Sequence, residues 1–188
     1  MPIYYKGAAP GTHWNTHDAC GSGFVPRGPG YSKSCDRMIQ HVAHARTQSP
    51  YISLTRSYSV ALHYALETGT SQPTATAPGY IYELEIDDTS GVTLIDPVKE
   101  IAADAPGPLV NPGYQHDGHQ TVLLGVASSM LAFFLKNPIA LPGGAGVGTR
   151  FASISPQIWG LVCSLRDSEI LVDGNVPRNC VVNRESVY

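Results

Sequence analysis

Two hydroxyls, Ser53 and Thr55, close a short β-forming run, Pro50-Tyr51-Ile52. Side chains alternate along a strand, so both hydroxyls fall on one face of its end. There they can order a polar ligand or a neighbouring strand by hydrogen bonding. Lys6-Gly7 ends a second β-rich run, Ile3-Tyr4-Tyr5, and sets a point charge beside a residue without a side chain. That is either an ordinary surface lysine or an anion site. A third polar concentration, Tyr114-Gln-His-Asp-Gly-His-Gln120, leads into an apolar stretch containing Gly125.

Histidines fall in three pairs, His13/His17, His41/His44 and His116/His119. The first has the spacing of two ligands on a helix. Its Gly/Pro surroundings argue against a helix, and no His-Glu-x-x-His occurs, so no metal site is expected. His116 and His119 are kept as candidates because they neighbour Gln120. The glycine loop over 142–148 lacks the Gly-Lys-Ser/Thr of a phosphate loop and reads as a turn.

The elements that must position these groups belong to one domain over residues 1–188, long enough for a full core. With 19 glycines and 15 prolines, short strands and many loops are expected, not a helical bundle. A net charge of −3 carries no basic field for nucleic acid or an anionic membrane, though a nucleobase acceptor stays open. No apolar run of about 18 residues occurs, so no membrane span is expected. No leader is visible ahead of the first run, which suits a mature form or an excised domain.

Ser57 or Ser59 can cap a helix whose residues Tyr58, Ala61, Leu62, Ala65 and Leu66 share one face, with Gly69 as its C-cap. Another helix is expected over 35–45, capped by Ser34 or Asp36, with Met38, Ile39 and Val42 inward. A short one is expected over 98–103. Residues 80–86 alternate as an antiparallel strand, and 91–95 form a short strand. Gly23-Phe24-Val25-Pro26-Arg27-Gly28 is a turn around one buried Phe. Residues 130–135 read as core. Residues 158–165 and 169–172 read as late strands, with Asp173-Gly174 as a hairpin turn.

Tyr-Ile-Ser-Leu-Thr-Arg-Ser (51–57), a helix, and then Gly79-Tyr-Ile-Tyr-Glu-Leu-Glu-Ile86 resemble the central block of mono-ADP-ribosyltransferase toxins. The similarity is to the pierisin/scabin or cholera-toxin-like branch. It implies an α+β fold of two antiparallel sheets forming an NAD cleft, with peripheral helices. Leu54 stands where the family usually has Thr, and Lys6 stands in the slot of a basic residue that holds an NAD phosphate or ribose. Gly7 would let the dinucleotide approach the backbone.

The family also carries Glu/Gln-x-Glu at a strand start, followed by apolar residues and Gly. Anchoring on Gly125 puts that glutamate slot at Gln120. The missing charge would then come from Asp117 or from Glu83. The resemblance implies an NAD-dependent transferase, a toxin or effector that is secreted and monomeric. Its acceptor would be a nucleobase, DNA or a protein. Gln120, Ser53 and His119 are the catalytic candidates. Lys6, Gly7, Ser53, Thr55 and Tyr64 are the NAD-binding ones, with Tyr51 as the alternative aromatic, and Tyr114 would meet the acceptor. NAD hydrolysis and an inactive secreted binding module are the alternatives. Four cysteines without a Cys-x-x-Cys fit two local disulfides, Cys20 with Cys35 and Cys163 with Cys180, or four buried thiols.

Overall fold

A computed structural model of the chain describes residues 2–44, 47–104, 114–116, 119–121 and 156–188. The strands are β1 (Ile3–Ala8), β2 (Tyr51–Thr55), β3 (Gly79–Glu85), β4 (Thr93–Ile95), β5 (Tyr114–His116), β6 (His119–Thr121), β7 (Glu169–Asp173) and β8 (Val181–Val187). The helices are α1 (His13–Thr16), α2 (Ala19–Ser22), α3 (Cys35–His44), α4 (Tyr58–Glu67), α5 (Pro97–Asp104) and α6 (Pro156–Arg166). The chain is α+β: six strands form one antiparallel sheet in the order β4-β7-β2-β1-β3-β8, and helices pack on it.

Alternation along the strands sorts the core onto two faces. Ile52, Leu54, Ile170, Val172, Tyr82 and Leu84 point to one side, where they enclose Phe24, Val176 and Cys180. The intervening residues point to the other side. Tyr51 and Leu171 meet Met38, Ile39, Ile101 and Leu161 of α3, α5 and α6. Ile81 meets Ala61 and Ala65 of α4. Burying an Ile or Leu of this kind contributes about 2 kcal/mol, so each face is anchored by several such residues.

The expected helices over 35–45 and 98–103 are α3 and α5. Ser34 caps α3 through the Arg37 amide at 3.2 Å, and Ser57 caps α4 through the Val60 amide at 3.4 Å. The inward face of α4 is rotated from expectation. Val60, Ala61 and Ala65 are buried, whereas Tyr58 is 40% exposed. The small Ala61 and Ala65 allow α4 to press onto Gly7 of β1 and Gly79 of β3, where a Cβ would collide with their carbonyls. The C-cap of α4 is Thr68 rather than Gly69, and Gly69 instead backs onto Pro10.

Residues 158–165 belong to a helix, α6, and not to a strand. A continuous apolar run does not distinguish a buried strand from a buried helix, and α6 is covered by α3 and α5. Gly174 takes a left-handed φ of 98°, but β7 forms no hairpin with the strand that follows, since it lies between β2 and β4. Phe24 is fully buried as the turn around it requires, bridged to Val176 by two backbone hydrogen bonds of 2.9 Å.

All four cysteines are free thiols, so the disulfides expected for Cys20 with Cys35 and Cys163 with Cys180 are not formed. The sheet explains why. Cys35 and Cys163 belong to α3 and α6 on one face, while α2, which carries Cys20, and the turn carrying Cys180 pack on the other. Bridged Cβ atoms stand only about 4 Å apart, less than the depth of a sheet with its side chains.

β5 and β6 pair as a hairpin with Gln115 opposite Gln120 and His116 opposite His119. Asp117, residues 130–135 and the glycine loop over 142–148 lie outside the described residues, as do the side chains of Tyr114, His119 and Gln120.

Candidate active site

β1 is zipped to β3 over six residue pairs and β2 to β7 over five. Between them β1 and β2 share a single pair, Tyr5 with Thr55. Beyond it the two strands part, and a cavity of about 230 Å³ opens there. Lys6 spans the gap. Its ammonium donates to the Ser53 carbonyl at 2.8 Å, an acceptor that a continued ladder would have engaged. The expected Lys6, Gly7, Tyr51, Ser53, Thr55 and Tyr64 all line this cavity, joined by His41, Arg27, Trp14, Asp167 and Glu169. Gly7 owes its lack of a side chain to the press of α4, a packing reason that sequence did not reveal.

Glu169 stands at the centre. It is the first residue of β7, directly opposite Thr55, and only 8% exposed. The Ser53 hydroxyl favours the charged form of its carboxylate. Burial raises its pKa to about 7, against the opposing pull of Ser53 and the charge of Lys6. Burial likewise lowers Lys6 to about 8, and Glu169 acts to support the ammonium. Between these values both groups are charged inside one cavity.

Asp167 is held differently. Arg166 grips its carboxylate through Nε at 2.5 Å and through Nη2, and the Tyr64 hydroxyl donates to it at 2.6 Å. Thr55 donates its hydroxyl to the Asp167 carbonyl at 2.5 Å and accepts the Ser57 amide at 3.0 Å. Burial, with the Asp167 charge beside it, holds the Tyr64 phenol far above its ordinary pKa. Tyr64 is therefore a neutral donor that steadies the acid.

Ser168, between the two acids, adopts a left-handed φ of 47°. Its amide closes the end of α6 on Leu165 at 3.2 Å, and its carbonyl takes the Arg56 amide at 3.1 Å. This turn ends the helix and starts β7, which sets Asp167 and Glu169 into the same cavity. A non-glycine residue in this region is uncommon and stores strain where the surroundings hold it.

Lys6, Ser53, Thr55 and Tyr64, which the sequence singled out, line one cavity, and Asp167, Glu169 and His41, which it did not, line it with them. No Glu/Gln-x-Glu stands ahead of Gly125, and Asp167-Ser-Glu169, with Asp in place of the family's Glu/Gln, stands ahead of Ile-Leu-Val-Asp-Gly174. Glu83 is paired with Tyr5 on β3 and is not among the cavity residues. Among the described residues no group of three or more His, Cys, Asp or Glu could hold a metal ion, and no helix is long and apolar enough to cross a membrane. No family model, curated protein or solved structure matches the chain.

Proposed function

We propose that the chain is an NAD-dependent mono-ADP-ribosyltransferase in which Glu169 takes the role that the sequence alone assigned to Gln120. The observation that carries this reading is a buried carboxylate, Glu169, that shares one cavity with Lys6, Ser53 and Thr55. The strand-end hydroxyls suit such a site: Ser53 favours the charged form of Glu169, and Thr55 holds the Asp167 carbonyl two residues before it. The described strands of the core form one sheet rather than the two expected, and we read its halves β4-β7-β2 and β1-β3-β8, joined at one pair, as the counterpart of those two.

The chemistry breaks the bond between C1′ of the ribose and the nicotinamide nitrogen. Nicotinamide leaves with the bonding electrons, and positive charge develops on the ribosyl centre. Glu169 as carboxylate accepts a hydrogen bond from the ribose 2′-hydroxyl and stabilises that charge. Lys6 supplies a cation for the diphosphate. Arg166 and Tyr64 occupy Asp167, so Glu169 is the carboxylate that a ligand engages. The acceptor, a nucleobase, DNA or a protein, forms the new bond at C1′ and releases its proton.

Incubation with NAD, alone and with DNA, nucleosides or protein, tests this reading. Nicotinamide release with an adduct on the acceptor is expected. Release without an adduct assigns hydrolysis, and no release under any condition leaves a secreted binding module and refutes the enzyme.

A further inference from the structure

Asp167 and Glu169 both line the cavity and both are 8% exposed, so two carboxylates could share the chemistry there. The hydrogen bonds of Asp167 argue otherwise. Its amide donates to the Cys163 carbonyl at 3.1 Å, and its own carbonyl accepts the Thr55 hydroxyl at 2.5 Å. One carboxylate oxygen takes Nε of Arg166 at 2.5 Å. The other takes the Tyr64 hydroxyl at 2.6 Å and Nη2 of Arg166. Nη2 also reaches the Tyr64 oxygen at 3.0 Å. A guanidinium only donates, so the phenol accepts from Arg166 and gives its own proton to Asp167. Every polar atom of Asp167 is thus engaged by the protein, with partners from α4, α6 and β2.

The next residue is the one that such a clamp can hold. Ser168 has a φ of 47°, and among the described residues no other with a side chain stands at positive φ. Left-handed backbone is unfavourable for a residue with a Cβ and persists only where the surroundings over-determine it. Here they do so on both sides. Ahead of Ser168 stand the bonds of Asp167. Behind it, the Ser168 carbonyl takes the Arg56 amide at 3.1 Å, and Glu169 pairs with Thr55. Thr55 touches both flanks, through its hydroxyl on Asp167 and its backbone opposite Glu169. A return of Ser168 to negative φ would turn the chain at the first residue of β7 and swing the Glu169 carboxylate. We propose that Asp167 is a positioning residue and not a second reacting acid: clamped by Arg166 and Tyr64, it holds Ser168 in its left-handed turn and so keeps Glu169 in the cavity.

This inference rests on Glu169 as the working carboxylate, but its first consequence is read without any substrate. Glycine takes left-handed backbone freely, so Ser168→Gly should release the turn from its need for the clamp. A carboxylate that reacted itself would gain nothing from that change.

The test begins with a titration of the Glu169 carboxyl by NMR of glutamate labelled with 13C, its resonance assigned by its loss in Glu169→Gln. Burial holds its midpoint at about 7, up from 4.5. Lys6 of β1 and Asp167 and Arg166 at the end of α6 act on it by charge, and His41 of α3 lines the same cavity. Tyr64→Phe alters none of these charges and removes one donor of the clamp. Its midpoint is expected to fall by about half to one pH unit as Glu169 meets water. Tyr64→Phe combined with Ser168→Gly should titrate as the wild type does. In nicotinamide release Asp167→Asn should lose about tenfold to a hundredfold in kcat, with KM within about threefold, the effect of a small misplacement at the reacting centre. Adding Ser168→Gly should return kcat to within about threefold of the wild type. If Asp167→Asn does not fold, Tyr64→Phe serves in its place, with a smaller loss and the same recovery. A midpoint unmoved in Tyr64→Phe, or a loss that Ser168→Gly does not recover, overturns the proposal. A wild-type protein that releases no nicotinamide, while the Glu169 midpoint moves and returns as stated, sinks the transferase reading and leaves this one standing.

Discussion

Replacing Glu169 by Gln separates what the carboxylate does for turnover from what it does to the fold. In the folded chain its pKa is raised from 4.5 to about 7, with burial as the main cause. Between those values the folded state keeps a proton that the unfolded chain has released. Stability therefore falls as pH rises from about 4.5 to 7 and stays lowered above. At about 1.4 kcal/mol per pH unit, the full loss is about 3 kcal/mol. The amide does not titrate, so the variant is expected to lack this slope. Near pH 8 it should be the more stable protein by up to about 3 kcal/mol, or roughly 6–12 °C in Tm at this chain length. Near pH 5 the difference should shrink to less than about 1 kcal/mol. Lys6, whose charge Glu169 supports, should lose its proton more readily in the variant. Turnover should move the opposite way. Removing one preorganised electrostatic contact from a transition state lowers kcat by about 10²–10³, read as nicotinamide release. A variant that turns over within threefold of the wild type would refute the mechanism. Equal Tm differences at pH 5 and pH 8 would refute the placement of Glu169 as a buried acid.

Further predictions test the surrounding frame. With Glu169 needed as carboxylate and Lys6 as ammonium, nicotinamide release should be bell-shaped with its optimum between about 7 and 8. Lys6→Arg should remove the alkaline limb, because a guanidinium keeps its proton there, and a profile still falling above pH 8 would count against Lys6. Gly7→Ala should destabilise by about 1–3 kcal/mol in urea unfolding, since its Cβ would overlap the Ala61 carbonyl. An unchanged midpoint would mean that α4 does not press on β1 there. Thiol titration of the unreduced, denatured chain should find four thiols, and in the native protein Cys20 should react ahead of the buried Cys163, whose pKa burial pushes up to about 12. Two thiols or none would restore the disulfide pairing.

What was legible in the sequence was local. Ser53 and Thr55 could be set on one strand face because strand periodicity is fixed, and Ser34 and Ser57 declared their helices because capping needs a hydroxyl at that spot. Glu169 was not legible as a cavity residue because its partner lies far along the chain. Thr55 and Glu169 are directly opposed in the sheet although 114 positions separate them, and nothing local at either residue encodes that register. Anchoring the Glu/Gln-x-Glu pattern on Gly125 pointed to Gln120, whereas Asp167-Ser-Glu169 stands at the same distance before Gly174. Residues 158–165 failed for a related reason. Their strand-like apolar run is a helix because α3 and α5 cover it on one side of the sheet, and that cover is tertiary information.

A buried carboxylate beside a half-buried ammonium is itself an argument for function. An ionised carboxylate and an ammonium drawn out of water recover that loss only with close geometry and full hydrogen bonding, and apolar residues of the same volume often stabilise a core more. Here the recovery is incomplete. Burial keeps Glu169 above, and Lys6 below, the pKa each would have in water, despite their mutual attraction. A pair kept only for the fold would gain by becoming apolar. The shape around it points the same way: β1 and β2 stop pairing after Tyr5 and Thr55, Ser168 is held at positive φ, and Asp167 is clamped by Arg166 and Tyr64. Tyr5, Thr55, Tyr64 and Asp167 line the cavity with Glu169, and Ser168 joins the two acids in the chain, which is the arrangement expected where local strain and uncompensated charge are retained for chemistry.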